Sequence, residues 1–255
     1  MIRLVVALSS LSVATLAVGP WCMAFGPLRW TRGVDVIFRS YARLVLRVTG
    51  ARLLPPVWHT APERLPERLI IVSNHESLLD PPAIVLALGT RSVRFIVKRE
   101  VFKLPVFGWS LWAAGCVGVC RVNSQRDRSR LAADTRLSRD SDVLFFAEGT
   151  RSRTGALAPF KSGAFAMALQ RDLPILPMAI GGTYECLPPT TLQPTPGNIA
   201  VVFGEPIPVV GLRLQDKDGL RQRVHARVAE LRQEALTLAG SPRAQHRQAA
   251  RAASA

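Results

Sequence analysis

Six short apolar runs, rich in branched side chains, constrain the fold of this 255-residue chain more than any other feature. They occupy positions 69–72, 93–97, 117–119, 143–146, 175–180 and 199–203, each bounded by polar residues, glycine or proline. Apolar runs without polar alternation are what strands buried on both faces require. Between several of them lie helix-like stretches at 81–88, 125–138 and 161–170. Strands alternating with helices predict an α/β domain whose central sheet, largely parallel or mixed, is flanked by helices. Apolar residues make up 48% of the chain, enough for such a core and too many for a disordered polymer.

The flanks of this body read differently. Residues 4–25 carry no charge, with Trp21 and Trp30 near the far end and Arg29 and Arg32 just beyond. About 20 such residues suffice for a helix to cross a bilayer, and the arginines predict a cytoplasmic downstream chain. Gly19-Pro20 and Gly26-Pro27 keep a kinked or monotopic helix in competition, and Arg3 ahead of the apolar run keeps a cleaved signal peptide as a lower-ranked alternative. A second helix over 34–48 spaces Val34, Ile37, Phe38, Tyr41, Leu44, Val45 and Val48 on one side; it either lies in the interface or packs on the domain. At the other end Leu220, Val224, Val228, Leu231, Ala235 and Leu238 form a helical stripe that Gly240 and Pro242 stop. The expected organisation is therefore membrane-anchoring helices over 1–64, an α/β domain over 65–212, an amphipathic helix over 213–240 and a basic disordered tail over 241–255.

Lysine and arginine number 33 against 18 aspartates and glutamates, a formal net charge of +15. Such an excess calls for an anionic partner. In residues 1–62 the only acidic residue is Asp35, while arginines flank the apolar runs, a pattern suited to anionic lipid headgroups. No Cys-His zinc-finger spacing and no aromatic RNA-binding signature is present, so nucleic acid is not an expected partner. Cys22, Cys116, Cys120 and Cys186 form no CxxC pair and no regular framework, which predicts reduced, buried thiols and a cytoplasmic catalytic portion.

Two segments carry chemistry. Ser73-Asn74-His75-Glu76-Ser77-Leu78-Leu79-Asp80 follows the first apolar run, and Asp80 before Pro81-Pro82 reads as a helix N-cap. His75 thus belongs in a strand-to-helix loop at the sheet's carboxyl edge. Asp80 is near enough in sequence to hold one imidazole nitrogen and leave the other as a base. No G-x-S-x-G elbow accompanies it. The second segment, Phe146-Ala147-Glu148-Gly149-Thr150-Arg151-Ser152, ends a strand in a glycine turn bearing a carboxylate, a hydroxyl and a guanidinium. Arg151 suits bidentate phosphate recognition, Gly149 allows close backbone approach, and Glu148 can accept a hydrogen bond from a substrate hydroxyl. Lys98 and Arg121 end two further strands, where cations suit phosphate. Any one of these features alone is more often plain capping or a solvated strand end; their joint occurrence shifts the balance.

Together the segments resemble the glycerolipid acyltransferase family, particularly the 1-acyl-glycerol-3-phosphate acyltransferases. The family's NHxxxxD motif matches Asn74, His75 and Asp80. Its Gly-x-x-Phe-Ile-x-Arg pattern matches Gly115, Val119 and Arg121, with Gly118 where an aromatic is usual. Its Phe-Pro-Glu-Gly-Thr-Arg-Ser pattern matches Phe146 and 148–152, with Ala147 for proline. Leu176-Pro177-Met178 matches the short apolar run around proline, and Lys98 and residues 160–165 also resemble family features. Four motifs in order, over about 65–208, are specific.

The resemblance implies a membrane-bound O-acyltransferase at the inner membrane, its catalytic domain facing the cytoplasm. The acyl donor would be acyl-coenzyme A or an acyl carrier protein, and the acceptor a lysophospholipid; no metal or other cofactor is expected. His75 and Asp80 would be catalytic, and Lys98, Arg121, Glu148, Gly149, Thr150 and Arg151 would bind substrate. An alternative within the family takes a lyso-ornithine lipid, another lysophosphatidyl headgroup or a sugar lipid as the acceptor. From other classes, a lipid hydrolase would use Ser77 or Ser162, and a basic membrane-surface binder would leave the ordered motifs as coincidence.

Overall fold

A computed structural model of the chain describes residues 31–119 and 141–244. In chain order the elements are α1 (Thr31–Thr49), β1 (Ala51–Leu53), β2 (Val57–Trp58), β3 (Ile70–Ser73), α2 (Asp80–Ala87), β4 (Val93–Lys98), α3 (Phe107–Ala113), β5 (Val117–Val119), β6 (Asp142–Phe146), α4 (Gly163–Arg171), β7 (Ile175–Gly181), α5 (Thr183–Cys186), β8 (Gly197–Phe203) and α6 (Lys217–Leu238). All six apolar runs are strands. The sheet runs β1-β8-β7-β3-β6-β4-β5, with β2 also on β8. Its strand pairs are parallel except β7 with β8, so the sheet is mixed, as the alternating pattern predicts.

Apolar residues fill both faces. On β3, Ile70 and Val72 point to one layer and Ile71 to the other, all fully buried. The first layer is closed by α4, through Phe165 and Met167, and by Leu220, Val224, Val228, Leu231 and Ala235 of α6. The second is closed by Ala42, Val45 and Leu46 of α1 and by Ala83, Ile84 and Ala87 of α2. Each fully buried branched side chain contributes about 1.5–3 kcal/mol relative to exposure, so a strand packed on both sides is anchored twice.

The expected domain boundaries shift. Strands β1 and β2 join the sheet, which therefore begins before residue 65, and α6 is one of the domain's layers rather than an appendage. Helix α1 packs on the domain. Its Asp35 forms a buried ion pair with Arg94 at 2.7 Å, which uses the lone acidic residue of that arginine-rich region. Ser241 and Ala244 are buried, so these positions are not part of a loose tail. The expected helix at 125–138, the apolar segment at 4–25, Cys22 and Cys120 lie outside the described residues. Among the described residues no helix is long and apolar enough to cross a membrane. Cys116 and Cys186 are free and buried; burial pushes the Cys186 thiol up to about 11, so it is held protonated.

Candidate active site

Strand β3 delivers His75 to the carboxyl edge of the sheet, where a short loop turns into α2. The imidazole Nδ1 lies 2.7 Å from Asp80 Oδ2. The same oxygen accepts the backbone N–H groups of Glu76 at 2.6 Å and Ser77 at 2.9 Å. Asp80 is the first residue of α2 rather than its N-cap; Leu79 caps without a side-chain bond. The expectation of an Asp80 N-cap is thereby corrected: the carboxylate turns back into the loop because that loop offers it two N–H donors and a ring nitrogen. Asp80 is fully buried, and among the described residues its Oδ1 has no partner. The His75 side chain is 18% exposed and stacks on Phe146, with centroids 3.9 Å apart and planes at 16°. With Nδ1 bonded to a carboxylate, the tautomer carrying hydrogen on Nδ1 is favoured and Nε2 is left as an acceptor.

Strand β6 pairs with β3, Ser73 opposite Phe146, so its terminal turn lies against the His75 loop. Glu148 locks the two together. Its Oε1 accepts the His75 backbone N–H at 2.7 Å and its Oε2 accepts that of Ala158 at 2.8 Å. The His75 carbonyl in turn accepts the Ser152 N–H at 2.8 Å. Glu148 is buried, each oxygen already bonded to backbone, where the sequence reading expected a substrate hydroxyl. Burial pushes its carboxyl up to about 7, against the two N–H bonds and with the nearby charge of Glu76 adding to the rise. Gly149 takes φ +74, a left-handed turn that a side chain would strain. Thr150 is exposed at the tip, and Arg151 is half-buried. Arg151 Nη1 is inaccessible to solvent and, among the described residues, unpartnered. A guanidinium N–H without an acceptor is costly unless a ligand supplies one.

Lys98 ends β4 and is exposed. Strand β4 lies beside β6, and β5 beside β4, all parallel, so Lys98 and the end of β5 share the edge that carries His75 and Arg151. Arg121 follows β5 but lies outside the described residues. Among the described residues no group of three or more His, Cys, Asp and Glu side chains is disposed to hold a metal ion.

Both departures from the motif patterns have physical reasons in the structure. A Cβ on Gly118 would lie 2.6 Å from the Phe102 ring, so Phe102 occupies the space that an aromatic at 118 would claim. The Ala147 N–H donates to the Ser73 carbonyl at 3.2 Å, extending the β3–β6 pairing in a way proline cannot.

The sequence named Asn74 and Phe146 only as motif matches, without a role, and gave no role to Glu76, Arg232 or Arg243. The Asn74 side chain clasps Ile180 of β7, donating to its carbonyl and accepting from its N–H, both at 2.9 Å. Glu76, between the two catalytic candidates, is buried and accepts from Arg232 of α6 at 2.6 Å and from Arg243 at 2.8 Å. Arg243 also grips Glu185 at 2.7 Å and lies over the Tyr184 ring. Phe146 supplies the platform under the imidazole. A buried acid inside the motif signalled a missing cation for Glu76, but no spacing pointed 156 residues away to Arg232.

A family model described as Acyltransferase matches residues 47–181. The chain is 36% identical to the chloroplastic 1-acyl-sn-glycerol-3-phosphate acyltransferase of Brassica napus, over 54% of this chain and 40% of that protein. It is 32% identical to the 1-acyl-sn-glycerol-3-phosphate acyltransferase alpha of Bos taurus, over 70% of this chain and 60% of that protein. The chain thus spans about half the length of these curated relatives. The crystal structure of the 1-acyl-sn-glycerophosphate acyltransferase from Thermotoga maritima superposes with a TM-score of 0.70, covering 89% of this chain and 94% of that one at 24% identity, a likeness of fold.

Proposed function

This chain belongs to the Acyltransferase family, and on that premise we propose that it transfers a fatty acyl group from an acyl thioester to the free hydroxyl of a lysophospholipid. The acceptor best supported is 1-acyl-sn-glycerol-3-phosphate, which would yield phosphatidic acid, because the curated relatives are named for it and Arg151, in the turn after the strand that neighbours β3, has an N–H unpartnered among the described residues. The observation that carries the reading is the 2.7 Å contact between His75 Nδ1 and Asp80 in a ring that remains partly exposed.

In this mechanism Nε2 of His75 takes the proton of the acceptor hydroxyl, and Asp80 steadies the imidazolium. The alkoxide oxygen attacks the thioester carbonyl. The tetrahedral intermediate collapses with cleavage of the carbon–sulfur bond, and the imidazolium returns its proton to the thiolate. No acyl-enzyme forms. Base action of this kind contributes about 10²–10⁴-fold, and positioning supplies much of the rest. Arg151, Lys98 and Arg121 hold the phosphate. Glu148 serves by tying the His75 loop to the Gly149–Arg151 turn. The donor is acyl-coenzyme A or an acyl carrier protein. The uncharged segment at 4–25 keeps the enzyme at the surface of the inner membrane, where the lysolipid and the acyl chain both partition, with its catalytic domain facing the cytoplasm.

Ser77, one candidate nucleophile for a hydrolase, is fully buried and its hydroxyl donates to the Leu187 carbonyl at 2.8 Å, which favours transfer over hydrolysis. The deciding experiment offers acyl-coenzyme A with a panel of lysolipids and follows thiol release and product mass. Release that depends on the lysophosphatidic acid and gives a two-chain product is expected. Equal release without any acceptor would replace this reading by hydrolysis.

A further inference from the structure

We infer that residues 99–113, the lobe between β4 and β5, form a docking surface for an anionic phospholipid bilayer, separate from the amino-terminal segment. The inference rests on the proposed lipid acceptor only for its purpose; the surface itself stands on exposure and charge. Of the ten exposed large apolar side chains among the described residues, four lie between 104 and 112: Leu104 at 52%, Phe107 at 38%, Trp109 at 47% and Trp112 at 53%. Trp109 and Trp112 are three apart and share one face of α3. Tryptophan combines a large apolar ring with a polar N–H, and it concentrates at membrane–water interfaces.

Lys98, Arg99 and Lys103 are exposed beside this face, and Glu100 is the one acidic residue from 98 to 113. An exposed aromatic face with cations at one flank is complementary to anionic headgroups over an apolar interior. The lobe is a built structure. The Phe102 ring sits over Gly118. Val106 turns the chain at φ 61 and ψ −59, with the Phe107 N–H donating to the Pro105 carbonyl at 2.6 Å. A branched residue rarely takes that γ-turn. Such turns persist where surrounding packing imposes them, often next to functional sites.

Position gives the surface its use. Strand β4 enters the lobe at the same sheet edge as His75, with only β6 between β3 and β4. The His75 ring stacks on Phe146 of β6, the strand between β3 and β4, and Phe146 in turn lies 6.2 Å from the buried Phe95 ring of β4. Leu78, three residues beyond His75, is itself 53% exposed. A bilayer seated on α3 brings an acceptor headgroup to the imidazole without withdrawing its acyl chain into water.

The test uses the full chain carrying Trp21→Phe, Trp30→Phe and Trp58→Phe, so that Trp109 and Trp112 are its only tryptophans. With vesicles of phosphatidylcholine and phosphatidylglycerol, their emission should shift to the blue and fall roughly twofold or more when the lipid chains are brominated. Equal emission with brominated and ordinary lipid, for protein that sediments with the vesicles, would overturn the inference. So would emission already blue-shifted without lipid and unquenched with it, which would mean that the chain's own apolar segment covers the face. In the otherwise native chain, Trp109→Ser with Trp112→Ser should lower turnover of vesicle-embedded acceptor about tenfold and leave a monomeric short-chain acceptor unaffected. Equal loss on both acceptors would also overturn it. If no acceptor is acylated by the native chain, the proposed function fails while the quenching result still decides the docking surface.

Discussion

The two edges of the sheet use the same kinds of charged residue to opposite ends. At the amino edge Arg91 donates to both oxygens of Asp142, at 2.8 and 3.0 Å, and the Leu69 N–H donates to one of them as well. Arg91 also reaches the carbonyls of Pro66 and Glu67. Every oxygen of that acid is taken. At the carboxyl edge, among the described residues, one oxygen of Asp80 is left over and Arg151 has an unpartnered N–H, and the His75 imidazole is 18% exposed. Orphaned atoms alone do not mark a site, since among the described residues Arg68 Nε and Ser92 Oγ near the amino edge lack partners too. What distinguishes the carboxyl edge is that its spare bonding capacity shares the edge with the proposed base, His75. A closed ion pair holds strands together; unpaired groups at a strand end are where the proposed site would take its substrate.

The contrast breaks most sharply at His75. Replacing it by alanine should lower kcat by about 10²–10⁴-fold with the melting temperature unchanged, read by thiol release and calorimetry. Retained turnover would make the carboxyl edge as structural as the other. Arg91→Met should do the reverse, costing about 3 kcal/mol in urea unfolding by stranding the buried Asp142, while kcat per folded molecule holds.

Glu148 offers a pH handle of similar size. Its carboxyl sits at about 7 rather than 4.5, so the folded state binds the proton more tightly than the unfolded chain. The stabilisation is complete below about 4.5 and is lost as pH rises through about 7, by up to about 3 kcal/mol. Unfolding free energy should fall across that window in the native protein and lose this slope in Glu148→Gln. Arg151→Ala should raise the acceptor KM about tenfold, roughly 1.4 kcal/mol, with little change in kcat; an unchanged KM would remove Arg151 from phosphate binding. The smallest effect belongs to Arg243→Ala, about 1 kcal/mol of stability, since Arg232 still holds Glu76. Combined with Glu76→Gln it should cost less than the two changes separately, as expected for groups in one network.

The strands, the helices over 34–48 and from 217 onward, and the His75–Asp80 pair were legible because each depends on neighbours in sequence. A buried strand announces itself by its own apolar run, and five residues of loop suffice for a carboxylate to reach back to an imidazole. The short strands β1 and β2 were not legible, because three and two residues carry no period and owe their pairing to β8. The capping role assigned to Asp80 failed because loop donors competed for its oxygen.

The sequence by itself determined the layers of this protein and the chemistry at its strand ends, since apolar runs, proline and loop acids act over a few residues. Tertiary structure decided which of those ends meet. Strand β6 inserts between β3 and β4, which lie next to each other in the order of the strands along the chain, and this sets the Glu148–Arg151 turn beside His75. It also carried Asn74 across to β7 and brought Arg232 and Arg243 to Glu76. Contacts so distant in sequence depend on the packing of the whole sheet, and no local period encodes them.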